Sequence, residues 1–349
     1  MKLFLTKTLI FILLLMLLFS FRDVFKTTSN LPIATLQAKL ALLKQSDINY
    51  TSFYIGSSYT GNQLNPKIID SITGSKSFNL GCPLQLNQSK IDFLTLLNND
   101  DIITAGDTVF LEIGLKSITN PKMYRRYYSR KREQYLFSKK TYRKITSDVI
   151  QDSSLSFTTK TQLFWLASKT YLNSRSNFHI KSLFYTKSFE IDFEILTRKG
   201  MKEYFSNGFT PFIKKRHPKY NASTNSFREW EKSIYKLIDK NDSLLVNSKP
   251  DHHLLNSYLN TAAIFKEKGI EIIYVFPYFC APRLTQNEPL GYLKASLPNS
   301  ILLNSPSFLL KKNVLNYMYD VTHLNKAGTR LYSELFAQEL INYKTKKRR

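Results

Sequence analysis

The spacing of apolar and polar residues changes several times along this chain, and each change marks an element. Residues 3–21 read LFLTKTLIFILLLMLLFSF, with Lys2 and Lys7 ahead of the continuous apolar core and Arg22, Asp23 and Lys26 behind it. Such a run predicts an export or anchoring segment over residues 1–26. Leu18 and Phe19 stand where a small-x-small cleavage site would be wanted, so the expectation is an uncleaved anchor with the body of the protein outside the cytoplasmic membrane. A cleaved signal peptide is the alternative. Residues 31–47 repeat apolar positions at helical spacing and predict a linker helix within 27–47. Ile48 to Ile55 then alternates and stops at Gly56, the pattern of a strand that delivers its C-terminal end to a turn.

Further on, Leu86 to Leu97 reads as an amphipathic helix, and Gly106-Asp107 turns into the apolar strand Thr108 to Ile113. That is a β-α-β step of a parallel sheet. The pattern lapses over about 116–247 and resumes after Pro250, with Leu254, Leu255, Tyr258, Leu259, Ala262 and Phe265 at helical spacing. Gly269 stops that helix, and the strand Ile270 to Phe276 follows. The fold class expected is α/β: a parallel sheet over 48–345, interrupted by a large, mostly helical insertion.

Composition adds a partner class. Lys and Arg number 50 against 26 Asp and Glu, a formal charge of +24, so the surface carries a field that attracts anions. The insertion opens with Lys122, Arg125, Arg126, Arg130, Lys131 and Arg132 among Tyr124, Tyr127, Tyr128 and Tyr135. Basic residues interleaved with aromatics can bind nucleic acid; a solvated helix face and an anionic envelope surface or polymer are the competing readings. An exported domain argues against nucleic acid. The tracts Thr159 to Leu172 and Phe189 to Thr197 read as helical and partly buried. Cys82 and Cys280 lack any CxxC spacing, which leaves two free thiols or one bridge open.

The candidate chemistry sits at the two ends of the α/β frame. Gly56-Ser57-Ser58 follows the first strand, and Asp320-Val321-Thr322-His323 precedes a final amphipathic helix carrying Leu331, Leu335, Phe336 and Leu340. A serine on a strand-end turn offers both a nucleophilic hydroxyl and a backbone N–H directed at the same spot. A histidine on a loop can take that serine's proton, and an aspartate three residues earlier can accept the imidazole N–H and hold its tautomer. Asp251, His252 and His253 read as the polar first turn of a helix, and His179 and His217 as structural. No nucleotide loop, HExxH motif or cofactor fingerprint occurs in the sequence, so no cofactor or metal is expected.

These blocks, in this order, resemble the first and last blocks of the SGNH (GDSL-like) hydrolase superfamily. The Gly-Ser-Ser form resembles membrane-anchored, envelope-modifying relatives such as the DltD-like proteins. The resemblance covers about 48–115 and 250–341, including Asn325 and Gly328. It implies a three-layer α/β/α (flavodoxin-like) domain with Ser58 as nucleophile, His323 as general base and Asp320 as its orienter. Ser58 and Gly81 would supply oxyanion-hole N–H groups. The family's third donor, an asparagine in a Gly-x-Asn-Asp block, has no counterpart in Glu112-Ile113-Gly114-Leu115-Lys116-Ser117. The function implied is an extracytoplasmic serine esterase or O-acyltransferase on acyl esters of an envelope glycan, with a membrane-bound acyltransferase as a partner. A fold-retaining binding or assembly subunit is the alternative.

Overall fold

In a computed structural model of the 349-residue chain, the described residues are 6–8, 10–11, 36, 39–40, 42–82, 87–113, 139–151, 153, 155–168, 171, 207–210, 228–229, 232, 252–276, 296–297, 299–302, 316–320 and 323–348. They belong to two compact units: Met1–Ala34 with Lys122–Glu194, and Thr35–Pro121 with Ile195–Arg349.

The second unit holds one five-stranded parallel sheet. Its strands are β1 (Ser52–Ile55), β2 (Ser77–Asn79), β3 (Thr108–Glu112), β4 (Glu271–Phe276) and β5 (Ser300–Leu302), in the order β2-β1-β3-β4-β5. After β1 the chain winds one way to β2, then returns to the other side of β1 for β3. In sheets wound in this way a crevice opens beyond the C-terminal ends of the strands where the direction reverses, here β1 and β3.

Among the described residues the helices include α1 (Ser58–Gln63), α2 (Pro66–Thr73), α3 (Asn87–Asn99), α5 (His252–Glu267) and α6 (Lys326–Arg348) in this unit, and α4 (Lys139–Gln151) in the other. Helix α2 shows its causes locally. The Asn65 side chain caps it by accepting from the Lys67 N–H, Pro66 takes the first helical position, and Gly74 ends it at φ 69°. That left-handed conformation suits glycine.

The sheet is covered on both faces, because consecutive strand residues point to opposite sides. Tyr54 and Phe110 face α6, where the Phe336 ring lies 5.5 Å from Tyr54 and 5.4 Å from Phe110, both edge-on. Ile273, Val275, Ile301, Tyr332 and Leu340 complete that cluster. Tyr274, between Ile273 and Val275, points the other way and meets Tyr258 of α5 edge-on at 5.4 Å. Burying a ring of this size stabilises by about 3–5 kcal/mol, judged by what phenylalanine truncation costs.

In the first unit, α4 and the helical residues 157–168 pack through Tyr142, which stacks on Tyr171 at 5.0 Å and shares a hydroxyl contact with Ser168 at 3.0 Å. Ile145, Val149 and Ala167 are buried, while Phe157 and Trp165 are exposed. Where it is described, the tract Thr159 to Leu172 is helical and partly buried, as expected.

Several expectations shift. The strand expected from Ile48 begins only at Ser52; Thr51 still donates its N–H to Lys76 O, but Ile48 is exposed. The anchor expected over residues 1–26, with the transmembrane, extracytoplasmic placement built on it, is corrected. Among the described residues no helix is long and apolar enough to cross a membrane. Within the run only 6–8 and 10–11 are described, all helical. The basic opening of the insertion, the tract Phe189 to Thr197, His179, His217, Asp251 and Cys280 lie outside the described residues, while Cys82 is buried.

Candidate active site

Strand β1 ends at Ile55, and Gly56 carries the chain into Ser57, whose extended backbone caps α1 while its Oγ accepts the Tyr59 N–H at 3.2 Å. A Cβ on Gly56 would collide with Glu112 Oε2 and Thr60 Oγ1, so only glycine lets the turn pass this close to β3. Ser58 thus occupies the first position of a short helix, where the sequence suggested a simple turn.

The other half of the site is set by α6. Just ahead of it, Asn325 donates its side-chain N–H to Asn316 O at 2.6 Å and accepts the Gly328 N–H at 3.1 Å. The Tyr319 N–H donates to His323 O at 2.7 Å, closing the loop that carries Asp320 and His323. Helix α6 then clamps the end of α1: Thr329 Oγ1 donates to Asn62 O at 3.2 Å, Ser333 Oγ to Gln63 O at 3.2 Å, and the Asn65 N–H to Ser333 Oγ at 2.9 Å. The start of α1 and the loop before α6 are thereby held side by side.

The consequence is a line of three side chains. Ser58 Oγ lies 2.9 Å from His323 Nε2, and His323 Nδ1 lies 2.9 Å from Asp320 Oδ2 and 3.1 Å from Oδ1. Asp320 Oδ1 also accepts the His323 backbone N–H at 2.8 Å, so the carboxylate fixes both the loop and the ring. The His323 and Asp320 side chains are about 20% exposed, which leaves them reachable by a substrate. Tyr59 stacks on the imidazole at 5.6 Å with 29° between planes. An imidazole held this way can remove a proton from the hydroxyl while the carboxylate stabilises the imidazolium.

Gly81 sits differently from the role the resemblance implies. Its N–H donates to Asn79 Oδ1 at 2.8 Å, so this donor is directed inward and is not offered to an oxyanion. The same Asn79 side chain donates to Thr60 O and Leu64 O, tying the end of β2 to both ends of α1. Gly81 has a packing reason: a Cβ there would strike the backbone of Thr60 and Gly61. Buried Lys39 donates to Gly81 O at 2.5 Å. Ser58 N–H has no acceptor among the described residues.

The residue that sequence reading passed over is Glu112. It ends β3, is 2% exposed, and its Oε2 accepts from Ser57 N at 2.8 Å, Ser57 Oγ at 3.0 Å, Thr60 Oγ1 at 2.6 Å and Thr60 N at 3.3 Å. Its Oε1 pairs with Lys90 Nζ of α3 at 2.8 Å. Burial alone would raise the carboxyl pKa, but Lys90 and the hydroxyl donors of Thr60 and Ser57 outweigh it and hold it below its ordinary value. One signal was present in the sequence: a lone acid in the apolar strand Thr108–Ile113.

His252 opens α5, and among the described residues no three His, Cys, Asp or Glu side chains converge as a metal site. No family model matches this chain, and neither a curated protein nor a solved structure matches it.

Proposed function

We propose that this chain is a serine esterase or O-acyltransferase of SGNH-like fold, working through an acyl-serine intermediate on Ser58. The observation that carries the proposal is the Ser58 Oγ–His323–Asp320 line, assembled from groups 265 residues apart in sequence. The crevice beside β1 and β3 is also where an α/β sheet binds its ligands.

In the reaction, His323 Nε2 takes the Ser58 proton as Oγ bonds to the ester carbonyl carbon. The carbonyl oxygen becomes an oxyanion within reach of the Ser58 N–H. The tetrahedral intermediate then collapses: the bond to the leaving alkoxide breaks, His323 returns the proton to that oxygen, and an acyl-serine remains. Water or an acceptor hydroxyl repeats the sequence in reverse, giving hydrolysis or transfer. The charge of +24 favours a substrate carried on an anionic glycan or similar polymer.

A second reading, a binding or assembly subunit without efficient turnover, is favoured by one observation. The Gly81 N–H is engaged by Asn79 Oδ1, and the sequence has Lys116 where the family's third donor would stand. Loss of one oxyanion donor typically costs a hundredfold or more in rate, on the order of 3 kcal/mol.

A fluorophosphonate probe separates the two. The esterase reading expects covalent labelling of the folded wild type that is lost in Ser58→Ala and in His323→Ala. A folded wild type that takes no label favours the binding subunit.

A further inference from the structure

We propose that Glu112, with Lys90 as its counter-ion, is a positioning residue for the Ser58 nucleophile. The inference rests on the reading of Ser58 as nucleophile and concerns how that hydroxyl is aimed.

The donors that converge on Glu112 Oε2 come from the residue before Ser58 and from the residue two after it. They bracket the nucleophile, so the carboxylate grips the turn on both sides and leaves Ser58 and Tyr59 directed towards His323. Hydrogen bonds to an ionised acceptor are about twice as strong as neutral ones, and four on one oxygen leave the turn little freedom. The grip extends into the sheet, because Glu112 is the last residue of β3, paired in parallel with β4 through Val275.

A buried anion beneath a nucleophile has a cost. As negative charge develops on the substrate oxygen, an unpaired carboxylate nearby would oppose it. Lys90 removes that opposition. Its ammonium is 1% exposed and donates to Glu112 Oε1 and, at 3.3 Å, to the Glu112 carbonyl, so the pair is neutral as a unit. Among the described residues the groups that face the Glu112 carboxylate are Lys90 from α3, Ser57 and Thr60 at α1, and Tyr258 of α5 through its electrostatic influence. A neutral pair can anchor the turn without setting a field against the reaction.

A purely structural ion pair would be expected to matter for stability alone. A positioning role appears in the rate at which Ser58 reacts. The test measures fluorophosphonate labelling of the full chain as a function of probe concentration, for wild type, Ser58→Ala, Glu112→Gln, Thr60→Val and Thr60→Ser. Thr60→Val removes a single donor without disturbing the ion pair, so it remains informative if Glu112→Gln fails to fold. The expected result is a maximal labelling rate lower by about tenfold in Thr60→Val and about a hundredfold in Glu112→Gln, the scale of a misplaced reacting group. The probe concentration for half-maximal rate and the end-point of labelling stay at wild-type values, and Thr60→Ser restores the rate. A wild type that labels, with Thr60→Val and Glu112→Gln labelling equally fast, overturns the positioning role while leaving Ser58 as nucleophile. A folded wild type that does not label at all removes both.

Discussion

Ser57 and Ser58 are adjacent, yet their hydroxyls serve opposite sides of the turn. Ser57 Oγ donates to Glu112 Oε2 at 3.0 Å, deep in the unit, while Ser58 Oγ lies 2.9 Å from His323 Nε2. Ser57 is buried and Ser58 is not. Ser57→Ala is therefore expected to retain fluorophosphonate labelling at a reduced rate, and Ser58→Ala to lose it. Mass spectrometry of the labelled peptide checks the site; an adduct on Ser57 would reverse the assignment.

The contacts of the Asp320 carboxylate with His323 are of two kinds. One holds the backbone and the other holds the imidazole tautomer. Asn in place of Asp can still accept from the backbone N–H, but its amide N–H₂ cannot accept from Nδ1–H. Asp320→Asn should leave the thermal midpoint nearly unchanged and slow labelling by about 10³–10⁴-fold, as when a triad carboxylate is replaced by its amide. A slowing below tenfold would show that Asp320 does not set the tautomer.

Tyr59 covers one face of the imidazole. A ring face stabilises the imidazolium that forms as Ser58 gives up its proton, by about 0.5–1 kcal/mol at a partly exposed site. Tyr59→Leu should slow labelling at fixed pH by about two- to fivefold and Tyr59→Phe should not. Equal rates for all three proteins would leave the stack without that role.

Lys39 is a buried ammonium whose pKa is drawn by burial from 10.5 down to about 7, with Cys82 offsetting part of the shift. Between these values the unfolded chain binds more protons than the folded one, so stability rises with pH over that interval. The cost of a buried charge is full below about pH 7 and is relieved as the folded-state amine deprotonates. Urea denaturation at intervals from pH 6.5 to 10 should show this rise, up to roughly 3–5 kcal/mol in the limit of full titration. It should largely vanish in Lys39→Met. Equal slopes in the two proteins would count against the buried charge.

The close backbone approach of Gly61 and Gly81 makes a separate prediction. A Cβ on either meets main-chain atoms of the other, which cannot swing aside. Gly81→Ala should destabilise the unit by about 1–3 kcal/mol, the range for overpacking a tight contact. A midpoint in urea unchanged from wild type would mean that the two loops separate readily.

What could be read from the sequence followed the reach of each signal. Strands β1, β3 and β4 carry continuous apolar runs because the sheet is covered on both faces, and their positions were visible in Phe53, Val109 and Ile272 and their neighbours. Strand β5 has three residues, Ser300 to Leu302, too few for any periodicity to register. Ser58 and Asp320-x-x-His323 were legible because a short motif carries its chemistry with it. Glu112 was not, since its meaning depends on Lys90 from another helix and on the Ser57–Thr60 turn from another strand. Gly81 was visible as a glycine, but only the Asn79 side chain shows where its N–H is spent.

Helix α6 has a consequence for how the chain comes into being. Phe336, Tyr332 and Leu340 cover the face of the sheet that includes Tyr54 and Phe110, and the same helix carries the contacts that bring His323 to Ser58. During synthesis 265 residues separate those two site groups. At about 5–20 residues per second a ribosome spends roughly 15–50 s between them. For that interval Tyr54 and Phe110 lack the helix that covers them, so the time at which α6 emerges sets how long the new chain depends on chaperone protection.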